Sequence, residues 1–161
     1  MVKATRIRID DLAPSAQEAL SLEREVPLFA FACISGLDGL HITHKAGNPG
    51  EPLSHRADVT LAKLQNAVKA PVSRCFGNRS AAVKIARLHE DTGARQIPIF
   101  TVTITGKVED DGTISTTETL AVPENVAGIP EVQKAGELAL QNCRDALARV
   151  PDNGRGAEVF L

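Results

Sequence analysis

Polar and apolar residues alternate from Thr5 to Ile9, which predicts a short first strand. Pro14-Ser15 then opens a helix to about Glu25, with Leu20 on its apolar face and Glu18, Glu23, Arg24 and Glu25 on a charged one. The run Val26 to Ile34 reads as a buried strand, and Gly36-Leu37-Asp38-Gly39 turns it into a second strand, Leu40 to Thr43. Ala46 to Pro52 is rich in glycine and proline and is expected to be a loop. From Asp58, the residues Leu61, Leu64, Val68, Val72 and Cys75 keep to one helical stripe, with Pro71 expected to kink or break it.

Gly77-Asn78-Arg79-Ser80 punctuates the chain again, offering Asn78 or Ser80 as cap for a helix through Leu88 that Gly93 ends. Phe100 to Thr105 alternates strictly, and the acidic turn Glu109 to Gly112 leads into Ile114 and a threonine-rich strand, making the clearest hairpin in the chain. Pro123 to Pro130 reads as loop. Val132, Ala135, Ala139, Cys143, Leu147 and Val150 trace a last helical stripe up to Pro151, and Ala157 to Leu161 suits a final strand. No internal repeat is visible. The expected architecture is one α/β (α+β) domain over residues 1–161: a mixed, mainly antiparallel sheet of about five or six strands with three or four helices packed on it.

Composition narrows the function classes. With 43% apolar and 24% charged residues among 161, the chain has enough apolar content to fold alone. Five phenylalanines and no tryptophan or tyrosine leave no aromatic platform for stacking bases, so nucleic acid is not an expected partner. The longest apolar run, Val26 to Ile34, is too short to span a bilayer and contains Pro27, so a cytoplasmic protein is expected. Cys33, Cys75 and Cys143 lack metal-site or redox-motif spacing and read as free thiols, with a Cys75–Cys143 bridge only in an oxidising compartment. The net charge of −2 divides into −2 for residues 1–40, +5 for 41–95 and −5 for 96–161. All four histidines, His41, His44, His55 and His89, lie in the basic third. Such asymmetry suits an anion-binding face, self-association or internal complementarity.

From about Pro98 to Leu161 the order strand, acidic turn, strand, helix, short strand, with the phrase Thr101-Val102-Thr103-Ile104-Thr105-Gly106-Lys107-Val108-Glu109-Asp110-Asp111-Gly112-Thr113-Ile114, resembles the carboxy-terminal domain of TonB and TolA energy-transducing proteins. The helix from Glu131 to Arg149 is similar to that family's alanine-rich helix. The resemblance implies a protein-binding module that offers a sheet edge to a partner segment.

Three groups of residues carry candidate chemistry. Arg74, Asn78, Arg79 and Ser80 place two guanidiniums and two polar side chains near a helix start, where unpaired amides favour an anionic ligand. Cys75, flanked by Arg74 and Arg79, is the candidate nucleophile, with His89 or His55 as its base. His41, His44 and His55 are candidate metal ligands, although 41 and 44 point to opposite faces of a strand. The acidic run Glu109 to Asp111 is read as a solvated turn, and no cofactor is implied. The leading expectation is a non-enzymatic protein-binding or assembly module whose partner is another protein or a second copy in a homo-oligomer. A binder or sensor of a small anionic ligand and a cysteine-dependent enzyme are the alternatives.

Overall fold

In the computed structural model the described residues are 5–9, 12, 14–22, 25–46 and 55–148. The alternating segments become β1 (Thr5–Arg8), β2 (Glu25–Gly36), β3 (Gly39–Ala46), β4 (Gln96–Val108) and β5 (Thr113–Ala121). They form one sheet in the order β1-β5-β4-β2-β3, and every pair is antiparallel. The helices are α1 (Pro14–Leu22), α2 (His55–Phe76), α3 (Arg79–Thr92), the single-turn α4 (Glu124–Ala127) and α5 (Pro130–Ala148). The expected α/β class holds, with five strands and one more helix than foreseen among the described residues. No helix of those residues is long and apolar enough to cross a membrane. The suggested strand at Ala157 to Leu161 lies outside the described residues.

One face of the sheet carries Phe31, Cys33, Phe100, Val102, Ile104 and Ile114, all buried. The other carries Ala30, Ala32, Thr101, Thr103 and Thr105, which are only half-buried. That division suits an antiparallel sheet covered on one side.

The two central strands carry short segments of similar pattern, with proline and phenylalanine in common. Glu25-Val26-Pro27-Leu28-Phe29 in β2 matches Gln96-Ile97-Pro98-Ile99-Phe100 in β4, 71 positions later. Phe31 pairs with Val102, its counterpart 71 positions later, at the centre of the β2–β4 ladder. Even the two irregularities correspond, one at Leu28 and one at Ile99.

The helices follow with a shift of 75. Buried Thr60, Leu61, Leu64, Val68 and Val72 of α2 correspond to buried Ala135, Gly136, Ala139, Cys143 and Leu147 of α5. Two hairpin–helix halves are therefore related by a pseudo-two-fold axis through Phe31 and Val102. Among the described residues the halves are not identical: α3 follows only the first, the second hairpin is longer, α4 precedes α5, and β1 pairs with β5.

Pro71 lies inside a continuous α2, so no new helix begins there. Proline removes the amide that would bond the carbonyl of Ala67, four residues earlier. Here Asn142 of α5 donates from Nδ2 to that carbonyl at 3.2 Å. Ala67 and Asn142 are 75 positions apart, so this bond lies where α2 and α5 cross on the pseudo-axis. The helix continues because its twin supplies the missing donor.

Candidate functional site

The three sequence-derived groups separate in the fold. His41 is exposed and bonds Asp38 (Nε2 to Oδ1, 3.1 Å), which holds that carboxyl below its usual range. His44 lies on the helix side of the sheet, where Gln65 Nε2 donates to its Nδ1 at 2.8 Å. The side chain of His55 lies outside the described residues. His41 and His44 thus serve different faces, and among the described residues no three metal-ligating side chains converge.

Arg74, Cys75 and Asn78 do meet, at a hollow of about 350 Å³ shared with Pro71, Glu131, Lys134, Ala135 and Leu138. Asn78 is already engaged: its side chain accepts from Ala81 N at 3.0 Å and caps α3. Arg79 and Ser80 are exposed and do not line that hollow. Cys75 is buried, and burial together with the Glu131 carboxylate raises its thiol pKa. This is opposite to the activation expected from its arginine neighbours.

Cys33 and Cys143 are deeper, and desolvation pushes each thiol to about 12. All three cysteines are free. One part of the charge asymmetry is internal, since Lys84 of the basic third faces Glu131 of the acidic third at 3.9 Å.

His89, expected as a base for Cys75, instead bonds Ser35, a residue the sequence reading did not single out, and lines a different hollow from Cys75. Ser35, the penultimate residue of β2, points to the helix side and is 5% exposed. Helix α3 runs above it, its ends fixed by the Asn78 cap and by Gly93 at φ 68°, whose N–H bonds His89 O. Its buried stripe is Ala81, Ile85 and His89. The ring of His89 bridges two groups, with Ser35 Oγ 3.0 Å from Nε2 and Ala94 O 2.9 Å from Nδ1. A carbonyl only accepts, so Nδ1 carries the proton and, in the neutral ring, Nε2 accepts from the serine hydroxyl.

These groups line a pocket of about 570 Å³, a size in the range of small-molecule sites. Leu40, Phe76, Ala82, Ile85 and Ala86 supply its apolar wall, and Glu90 adds a carboxylate to the lining. The hairpin tip contributes Gly36, Leu37 and Gly39, and Leu37 N–H bonds Arg95 O at 3.3 Å. Leu37 itself is 70% exposed, beside the opening.

The pseudo-axis makes the pocket more telling. The counterpart of Ser35 is Gly106, where an added Cβ would lie 2.5 Å from Leu28 Cδ1 and 3.2 Å from Ile114 Cγ2. One end of the sheet is filled by apolar side chains; the equivalent end holds a hollow with a serine–histidine pair. The signal in the sequence was a histidine on the buried stripe of α3, at 81, 85, 89 spacing.

Comparison with models of known families, with curated proteins and with solved structures gives no match for this chain.

Proposed function

We propose that the chain is a small-molecule-binding protein whose site is the pocket over Ser35 and His89. The observation that carries this reading is the buried Ser35–His89–Ala94 hydrogen-bond chain opening into an apolar hollow, at a position that the other half of the molecule fills with Leu28 and Ile114. A compact, mainly apolar ligand with one hydrogen-bonding carbonyl or hydroxyl suits these walls and this floor. The hollow lined by Arg74 and Lys134 is where the anionic-ligand alternative would be tested, with Glu131, which Lys84 faces at 3.9 Å, as the one carboxylate among its lining residues.

The test is a fragment screen by ligand-observed NMR on the wild type and on Ala86→Phe, which fills the pocket. Fragments that bind the first and not the second support the reading. A screen in which no fragment distinguishes the two proteins rejects it.

A second reading, assembly with a protein partner or another copy, rests on the sheet's ends. The TonB/TolA resemblance implies a free sheet edge, and among the described residues no strand pairs with the outer side of β1 or of β3. The outer sides of β1 and β3 are the edges for strand addition, and charged or proline substitutions there are the natural blocks. Sedimentation over a salt series tests self-association; a monomer at every ionic strength and at micromolar concentration removes it.

A further inference from the structure

We propose that Ser35 is a catalytic nucleophile, with His89 as its general base, in acyl transfer from compact carboxylic esters to water. This rests on the pocket reading above and adds a reaction to it. The required geometry is a nucleophile within hydrogen-bond reach of a base, and a base oriented by a third group. Ser35 Oγ stands 3.0 Å from His89 Nε2, and Ala94 O holds Nδ1 from the far side at 2.9 Å. The third group is a fixed carbonyl from the turn after α3, set by Ala94 N–H bonding to Thr92 Oγ1 at 3.2 Å. It selects the tautomer in which the lone pair of Nε2 faces the hydroxyl.

Among the pocket residues, Ser35 is where an ester carbonyl can meet a hydroxyl and a base together. Leu40, Phe76 and Ile85 give the acyl chain an apolar lodging. Cys75 is no competitor, because it opens on a different hollow and burial disfavours its thiolate.

In the first step Ser35 Oγ bonds to the acyl carbon as its proton passes to Nε2. The alkoxy group departs, taking that proton from Nε2, and leaves an acyl-serine. Water then attacks the acyl carbon and gives its proton to Nε2. The carboxylic acid is released as Ser35 regains a proton. The sum is ester plus water to acid plus alcohol, and no further reactant is needed. General-base assistance of this kind is worth on the order of 10²–10⁴ in rate.

The experiment treats the full chain with a small alkyl fluorophosphonate, which transfers its phosphorus to an activated serine with loss of fluoride. Intact-mass and peptide mass spectrometry then locate the adduct. One adduct per chain on Ser35 is expected, lost in Ser35→Ala and slowed about 10²-fold or more in His89→Gln. Because the adduct is located in the wild type, the result does not depend on how well either variant folds.

An unmodified protein after long exposure, or an adduct on another residue, overturns the proposal. If fragments still bind the pocket while Ser35 stays unlabelled, the catalytic role alone fails. If neither is seen, the pocket reading fails with it.

Discussion

Removing the donor that Asn142 lends to Ala67 isolates the effect of the proline in α2. In the wild type, Asn142→Ala leaves the Ala67 carbonyl without its 3.2 Å partner, because residue 71 has no amide to replace it. A hydrogen bond of this kind contributes about 0.5–1.5 kcal/mol, and the site is part-buried, so a loss of about 1 kcal/mol is expected. In a chain of this size that lowers Tm by roughly 2–4 °C.

In a Pro71→Ala background the new amide at 71 takes the Ala67 carbonyl in the ordinary helical pattern. Asn142→Ala then costs close to nothing by this route. The four proteins form a double-mutant cycle, measured by urea unfolding, with an expected coupling of about 1 kcal/mol. The cycle cancels the packing lost with the proline ring and the helix propensity gained at 142. Equal costs of Asn142→Ala in the two backgrounds, within about 0.3–0.5 kcal/mol, would show that the proline and the asparagine are independent.

Two further outcomes follow from groups described above or beside them. Gly106→Ala must push Leu28 or Ile114 aside, and overpacking of this kind costs about 1–3 kcal/mol in unfolding experiments; an unchanged midpoint refutes the claim that this end of the sheet is full. Glu118 of β5 has a side chain only 1% exposed, with Arg144 Nε at 3.6 Å from its Oε1 and no hydrogen-bond partner at Oε2. Burial raises its carboxyl pKa, with Arg144 and Thr116 opposing the shift. The folded chain therefore holds this proton more tightly than the unfolded one, and stability is lost as pH rises from about 4.5 through the folded-state value. Relative to Glu118→Gln, the wild type should weaken over that range, and a wild-type advantage that grows with pH contradicts the assignment.

The strands and most helices were legible because period-2 and period-3.6 patterns report burial directly, as at Phe100 to Thr105 and at Leu61, Leu64 and Val68. Pro71 left a kink and a new helix undecided because what carries the helix through is a side chain from another element, 75 positions away. The likeness of the two halves is faint in the sequence for a related reason: β2 and β4 match at 71, whereas the helices match at 75 and the hairpins differ in length, so no single period shows it. Arg74 and Cys75 were adjacent in sequence and do share a hollow, yet which polar atoms were already spent, such as Asn78 on its cap, is a property of three dimensions. Ser35 and His89, 54 residues apart, are joined only by the packing of α3 on the sheet end.

The pairing of β2 with β4 also sets a condition on how the chain is made. β2 is a central strand, and its partner β4 leaves the ribosome 71 residues later, a wait of roughly 4–14 seconds at common synthesis rates. During that interval the edge of β2 that β4 later covers has no partner from its own chain. An edge strand left unpaired for that time is the feature that invites pairing with another chain, so the order of synthesis sets when this sheet becomes safe from it.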